Sequence, residues 1–182
     1  MTTLLTVGHG RLERAELGAL LTSAGVAQLV DVRRYPGSRA NPDSRREALE
    51  EWVPEAGVGY RWEPELGGRR RVPRGEDLPD PWWQVEQFRA YAGYTRTEEF
   101  SAAMVRLLTE ADERRTAVMC SEAVWWRCHR RLIADVATVR HGLEVRHLMH
   151  DGSLRLHPVS GGVRQREDGA LVWDGAAEGA DR

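Results

Sequence analysis

Short apolar runs alternate with a segment of helical periodicity at the start of the chain. Residues 4–7 form an apolar run that ends at a glycine, which is typical of a buried strand followed by a turn. Residues 13–24 carry leucines at helical spacing and end before another glycine, so they are predicted to form a helix. Residues 26–32 are again apolar, as in a buried strand. Strand, helix and strand in this order predict a βαβ unit with parallel pairing and a right-handed crossover.

The alternation resumes after a middle segment, 35–81, that is rich in proline, glycine and charge. This segment contains a predicted helix at 44–52 and an extended stretch at 60–62, and an insertion of this length is typical of a binding or lid region. The later predicted elements are helices at 82–91 and 97–111, a strand at 116–120, a helix at 128–140 and a strand at 143–149.

These elements predict the fold class. We expect a single α/β domain whose short, mainly parallel sheet is flanked by helices and carries a loop-rich insertion of arginine and tryptophan. The domain is predicted to cover residues 1–158. Residues 159–182 are polar and glycine-rich, and we expect them to be loosely ordered.

Composition agrees with one such domain and excludes several other classes. The 182 residues are 41% hydrophobic and 30% charged, which argues against collagen-like, coiled-coil and disordered chains. The apolar runs are far shorter than the roughly 20 residues that cross a bilayer, so no membrane partner is expected. With two cysteines and no leader pattern at the start of the sequence, we expect a cytoplasmic protein without a structural disulfide.

Charge excludes a globally basic protein but leaves room for a basic face. The net charge is −2, yet every cation is arginine, and the arginines cluster within 33–46, 69–74 and 127–131. Replacement of lysine by arginine throughout is also what a GC-rich genome produces. Seven tryptophans accompany these arginines, and aromatic rings interleaved with arginines suit the stacking of a nucleobase and the binding of its phosphates. The same rings also suit a core or a protein contact.

Polar residues follow three of the predicted strands, where the carboxyl ends of a parallel sheet meet and ligands bind. His9 follows the first strand, Asp31 and Arg33 belong to the second, and Glu122 follows the third after Cys120. Asp31 and Glu122 are candidate paired carboxylates for general acid–base chemistry. Pairing of Asp31 with Arg33 for a purely structural purpose is an equal alternative for Asp31.

The segment 120–130 holds the densest group of reactive side chains. Cys128, at a predicted helix start beside arginines, suits a nucleophilic thiol, with His129 as a base or as a structural or substrate-contacting residue. Cys120 is more typical of a buried core thiol. Zinc ligation by Cys120, Cys128 and His129 is an alternative that the spacing disfavours, because paired CxxC motifs are absent. No metal and no cofactor are predicted at this site, and zinc ligation stays open as an alternative.

Several ordered motifs resemble the bacterial and archaeal family called domain of unknown function 488. They are TVGHG at 6–10, LVDVR at 29–33 with Pro36 and Ser38, GVGY at 57–60, LGG at 66–68, Phe88, Tyr91, Thr97 and Phe100, MCSE at 119–122 and CHRRLIAD at 128–135. The resemblance covers residues 4–158 and implies a small α/β domain with polar residues at one edge. Two departures bear on substrate choice: Gly10 stands where serine is usual, and Trp125 and Trp126 stand where proline is often found.

The preferred functional hypothesis is a nucleic-acid-directed enzyme, most concretely a DNA glycosylase that hydrolyses the N-glycosidic bond of a modified or damaged base. DNA is expected as the partner rather than RNA, and no particular oligomeric state is predicted. The alternatives are a thiol enzyme acting on a small molecule and a non-catalytic reader of modified nucleic acid. The predicted catalytic residues are Glu122, Asp31 and His129, and the predicted substrate-binding residues are His9, Arg33, Ser38, Tyr60, Trp125, Trp126, Cys128 and Arg130.

Overall fold

The computed structural model describes residues 1–175. The strands are β1 (Thr3–Gly8), β2 (Gln28–Asp31), β3 (Gly59–Trp62), β4 (Thr116–Cys120), β5 (Glu144–Leu148), β6 (Leu154–Leu156), β7 (Val163–Gln165) and β8 (Leu171–Trp173). The helices are α1 (Arg14–Ser23), α2 (Arg46–Glu55), α3 (Glu86–Tyr94), α4 (Glu98–Glu113) and α5 (Arg130–Asp135), which a π-helical turn extends over Val136–Arg140.

The first six strands form one sheet in the order β3-β2-β4-β1-β5-β6. All neighbours pair in parallel except β5 and β6, which are antiparallel. The predicted α/β class and the mainly parallel sheet are therefore confirmed. The first two strands are parallel as expected, but they do not pair with each other because β4 lies between them. All five residues of β4 are buried, which suits a strand at the centre of a sheet covered on both faces.

Alternating residues of the central strands supply two cores, one on each face of the sheet. Leu4, Val30 and Val118 belong to the core under α3, α4 and α5. Their neighbours Leu5 and Leu29 point to the opposite face and pack with α1 and α2. This two-residue period is what parallel strands covered on both faces require.

The helices begin and end close to their predicted positions, with a few local differences. The hydroxyl of Thr97 accepts a hydrogen bond from the backbone N–H of Phe100 at 3.3 Å, so it caps α4 as its sequence context predicts. The helix predicted over 82–91 begins only at Glu86, because Trp82 and Trp83 pack against the core before it. No helix within residues 1–175 is long and apolar enough to span a membrane.

The end of the described chain is ordered, contrary to the expectation of a loose tail. The strands β7 and β8 form an antiparallel pair, and the side chain of Trp173 is fully buried in the core. Its indole N–H donates to Oδ2 of Asp135 at 2.9 Å. The expectation failed for residues 159–175 because three consecutive apolar residues, 171–173, anchor this segment. The rest of the predicted tail, 176–182, lies outside the described residues.

A chain of buried hydrogen bonds crosses the molecule beside this hairpin. Asp135 can only accept, so Nε2 of His157 donates to its Oδ1 at 2.8 Å. Nδ1 of His157 therefore accepts from Nε2 of His147 at 3.0 Å, and Nδ1 of His147 accepts from the hydroxyl of Thr6 at 2.6 Å. Each ring nitrogen thus has one defined role, and we call this set, Thr6–His147–His157–Asp135, the histidine relay.

Candidate functional site

One cleft lies at the carboxyl ends of β1, β2 and β4, as the predicted strand-end edge requires. Its volume is about 390 Å³, within the range of small-molecule sites. It is lined by His9, Arg33, Arg34, Tyr35, Gly37, Ser38, Gly68, Arg69, Gln87, Phe88, Tyr91, Cys120, Ser121, Glu122, Arg127, Cys128 and His129.

Two backbone segments meet closely at the back of this cleft. The N–H groups of His9 and Gly10 each donate at 2.9 Å, to the carbonyls of Cys120 and Ser121. A Cβ at Gly8 would lie 1.9 Å from the carbonyl oxygen of Glu122, so a side chain cannot be accommodated there. The glycine that ends β1 therefore allows the loop after β4 to pass, and this loop carries Ser121 and Glu122 into the cleft.

Asp31 is a structural residue rather than the partner of Glu122. Its carboxylate is fully buried, and Arg33 donates to both of its oxygens, at 2.8 and 2.6 Å. The hydroxyl of Tyr60 donates to the same carboxylate at 2.6 Å. Burial, and then the negative charge of Asp31, raise the pKa of Tyr60. Asp31 and Tyr60 are not among the residues that line the cleft, so the predicted carboxylate pair and the stacking role of Tyr60 are not supported by this geometry.

His9 is a neutral residue at the base of the cleft. Burial, and then the positive charge of Arg33, lower its pKa to about 4. Nε2 accepts from the guanidinium of Arg33 at 3.2 Å, so the proton is on Nδ1, which donates to the carbonyl of Gly10 at 2.9 Å. Arg33, with its guanidinium held by Asp31 and His9, is likewise a fixed part of the cleft wall.

Glu122 is the carboxylate that the structure places in the cleft. The residue is exposed, and Oε1 accepts from the backbone N–H of Val124 at 3.1 Å, which leaves Oε2 without a hydrogen-bond partner among the described residues. Ser38 also lines the cleft, and its hydroxyl accepts from the N–H of Asn41 at 3.0 Å. The predicted site residues Glu122 and Ser38 are therefore both available to a ligand.

Cys120, Cys128 and His129 form a compact group on the same cleft. Nδ1 of His129 lies 3.6 Å from Sγ of Cys128 and 3.9 Å from Sγ of Cys120. The hydrogen bond to Cys128, followed by burial, raises the pKa of Cys120 to about 12. Burial also raises the pKa of Cys128, but the hydrogen bond from Cys120 and the charge of Arg130 outweigh it and lower that pKa to about 6.

The predicted stacking residues Trp125 and Trp126 are not among the residues that line the cleft. The ring of Trp125 stacks on that of His147, with centroids 4.2 Å apart and planes within 3°, so it is part of the packing around the histidine relay. Trp126 is 44% exposed and packs edge-on against Trp125. Arg130 is also buried, and its guanidinium donates to the backbone carbonyl of Glu122 and to Thr6. It positions the loop instead of facing a substrate.

Other aromatic and basic residues line the cleft in their place. Phe88 and Tyr91 lie on α3, and Tyr35 follows β2. The exposed ring of Tyr35 has the guanidinium of Arg34 at 5.4 Å and that of Arg69 at 5.8 Å from its centroid. Two signals in the sequence point to these cleft-lining residues. Arg34 and Arg69 belong to the arginine clusters, and Phe88 and Tyr91 belong to the predicted helix at 82–91.

A second cavity of about 1150 Å³ shares Arg34, Tyr35, Arg69 and Gln87 with the cleft. We call it the arginine groove. It is lined by Arg34, Tyr35, Arg69, Arg70, Arg71, Val72, Pro73, Glu76, Leu78, Glu86, Gln87, Ala90, Gly93, Tyr94 and Thr97. Four of these residues are arginines, against two glutamates, so the groove offers excess positive charge next to the cleft.

A mainly parallel sheet covered by helices defines an α/β domain, and its polar cleft lies beyond the strand ends, where ligands usually bind in such sheets. The chain belongs to the family described as Domain of unknown function DUF488, whose model matches residues 13–137. No curated protein and no solved structure matches it. The family description assigns no activity, so function is argued from the cleft itself.

Proposed function

We propose that this protein is a nucleic-acid-directed hydrolase, most concretely a DNA glycosylase that removes a modified or damaged base. The observation that carries the proposal is the position of Glu122. It lies in a cleft of small-molecule size that adjoins the arginine groove. A flipped base would occupy the cleft while the strand that carries it follows the groove.

Glu122 is assigned the catalytic role. Cleavage of an N-glycosidic bond passes through an oxocarbenium-like state, which a carboxylate stabilises while it activates water. Oε1 of Glu122 is oriented by the N–H of Val124, and Oε2 is left to face a water molecule. His9, which is neutral and fixed by Arg33, adds a rigid polar wall without a competing charge.

Stacking on the base and contact with the phosphates are assigned to other residues than those that the sequence predicted. Phe88 and Tyr35 present aromatic faces at the cleft, which suits stacking on a base that has left the duplex. Arg69 and Arg71 line the arginine groove and suit contacts with phosphates. Because phosphate contacts release counterions, binding to DNA is expected to weaken steeply as salt rises.

The proposal is tested with labelled duplexes that carry a panel of modified or damaged bases, scored for abasic sites. Glu122→Gln is expected to reduce excision by at least about 100-fold, since it removes a general base while keeping shape and hydrogen bonding. Glu51→Gln, which changes an exposed glutamate on α2, is the matched control and should excise at the wild-type rate. Equal rates for the two variants would reject the role of Glu122. RNA versions of the substrates test the preference for DNA.

The same assay separates the other functional classes. A covalent adduct on Cys128, found by mass spectrometry after incubation with substrate, would replace the proposal with thiol chemistry. Saturable DNA binding without product on any substrate would replace it with a reader module.

A further inference from the structure

Three donor atoms, one at the end of β4 and two just before α5, converge at the cleft. Cys120 ends β4, and Cys128 and His129 lie eight and nine positions later at the start of α5. Their sulfur and nitrogen ligand atoms all lie within 4.8 Å of one another. Both sulfurs are close to Nδ1 of His129, at 3.6 and 3.9 Å. From these contacts we propose that Cys120, Cys128 and His129 bind a divalent transition metal, with zinc as the best match.

The two nitrogen–sulfur distances match those between ligands of a tetrahedral zinc ion. Zinc–sulfur bonds of about 2.3 Å and zinc–nitrogen bonds of about 2.0 Å place neighbouring nitrogen and sulfur ligands about 3.5 Å apart. The observed separations of 3.6 and 3.9 Å from Nδ1 to the two sulfurs lie near this value. Two thiolates and an imidazole are ligands of borderline-soft character, which zinc prefers to an all-oxygen set.

His129 is also oriented as metal-binding histidines are. Its Nε2 lies 3.2 Å from the carbonyl oxygen of Val32, which can only accept, so Nε2 carries the proton. The lone pair of Nδ1 is therefore free, and it points towards the two sulfurs. A backbone carbonyl that fixes the tautomer in this way is the usual support behind a metal-bound imidazole. Gly68 leaves room beside this ring, because a Cβ there would lie 3.0 Å from Nδ1.

The geometry indicates a catalytic metal rather than a closed structural one. All three ligands line the cleft, and they supply three of the four positions of a tetrahedron, so the fourth is left for water or substrate. Glu122 lies two positions after Cys120 and lines the same cleft. A zinc ion held by cysteines and a histidine, next to a glutamate that is not a ligand, activates water in the nucleobase deaminases, and the same groups here would activate water for cleavage of the glycosidic bond.

This assignment deepens the proposed glycosylase function. The reaction described next rests on that function, whereas the binding of the metal does not. The metal lowers the pKa of its bound water, and Glu122 takes the proton. The hydroxide forms a bond to the sugar C1′ carbon as the bond to the base nitrogen breaks. The base leaves with the bonding electron pair, and Glu122 returns the proton to it, so one water is consumed for each bond cleaved.

Cobalt(II) gives a direct readout that needs no substrate. The full-length protein, freed of metal with a chelator, is titrated with Co²⁺ under reducing conditions. We expect one ion per chain, with thiolate-to-cobalt charge-transfer absorption and the intense visible bands of tetrahedral cobalt. Zn²⁺ should displace it and abolish both. Wild-type protein without thiolate–cobalt absorption would overturn the proposal, whatever the variants do.

Variants assign the ligands. Cys128→Ser and His129→Gln are each expected to weaken Co²⁺ binding by more than the roughly 100-fold that loss of a supporting hydrogen bond costs. His141→Gln, at an exposed histidine after α5, should bind as wild type. Circular dichroism confirms that each variant is folded. Unchanged cobalt spectra in folded Cys128→Ser would overturn the ligand assignment.

These experiments test the metal site and the glycosylase reaction independently of each other. Cobalt binding by Cys120, Cys128 and His129 without excision of any base would keep the metal site and reject the glycosylase. Excision that depends on Glu122 but is unchanged in chelated protein would keep the glycosylase and reject the catalytic metal.

Discussion

Asp31 shows how a residue that looks catalytic in the sequence can be structural. Its carboxylate is buried and accepts from the guanidinium of Arg33 and the hydroxyl of Tyr60. Asp31 ends a buried strand at the edge of the sheet that carries the cleft, and the same strand-end signal in the sequence points to Glu122, which lines that cleft. What separates the two acids is burial. Strand-end position is visible in the sequence, but which acid finds an internal arginine depends on tertiary packing.

Asp31→Asn is therefore expected to affect stability first. It leaves the guanidinium of Arg33 buried without its counter-charge, and loss of one partner of a buried ion pair costs about 3–5 kcal/mol. Urea denaturation measures the change in the free energy of unfolding. Asp77→Asn, at an exposed position, should change that free energy by less than about 0.5 kcal/mol. A stable Asp31→Asn protein would show that the ion pair is not needed for folding.

Most helices and strands could be predicted from the periodicity of apolar residues, because this pattern is local and differs between the two kinds of element. The strand β4 was predicted with its observed ends, and α4 was predicted from its cap and its apolar face. The hairpin of β7 and β8 was not predicted. Each of its strands has three residues, and so short a run does not indicate with which strand it pairs. For the same reason the strand order, with β4 between β1 and β2, needed the structure.

The site was predictable to a similar depth. Polar residues at the ends of apolar runs predicted the edge of the sheet at which the cleft lies. They also predicted three residues that line it, His9, Glu122 and Cys128. Trp125 was assigned to the ligand because it adjoins these motifs, whereas its ring packs on His147 from β5. Contacts between residues so far apart in sequence leave no periodic signal. Zinc ligation by Cys120, Cys128 and His129 was weighed from the sequence and disfavoured, because their spacing does not show that the loop after β4 brings the three ligand atoms within 4.8 Å of one another.

The hairpin of β7 and β8 is expected to be integral to the fold. Trp173 fills the core, and its indole donates to Asp135, so Trp173→Ala should lower the free energy of unfolding by about 3–5 kcal/mol. The measurement is again urea denaturation. Leu156→Ala, at a residue that is 60% exposed on β6, serves as the comparison and should have little effect. If both variants lower the free energy of unfolding by the same small amount, the hairpin does not contribute to the stability of the core.

At the scale of the whole molecule, the histidine relay links folding to pH. Burial, the largest effect, lowers the pKa of His147 from 6.5 to about 3, and the positive charge of Arg130 acts in the same direction. The charged or titratable groups around it are His157, which is itself bonded to Asp135, and Arg130. Between these two values the unfolded chain holds a proton on His147 that the folded chain does not, so folding is favoured less as pH falls.

We therefore expect stability to drop progressively from about pH 6.5 to about pH 3, and to be fully present above this window. The contribution of His147 has a slope of about 1.4 kcal/mol per pH unit. It is isolated by comparing urea denaturation of the wild type and His147→Asn across this range. The variant is expected to be less stable at neutral pH and to have a shallower acid dependence. Parallel profiles would mean that His147 does not remain neutral in the fold.

The arginine groove owes its charge entirely to guanidinium groups, since the sequence contains no lysine. Guanidinium groups stay protonated at every pH at which the protein is folded. The groove therefore cannot be neutralised by lysine acetylation, and its attraction for polyanions cannot be tuned by moderate alkalinity. Amine-directed labels and cross-linkers will likewise leave it unmodified, because the sequence offers them no lysine side chain.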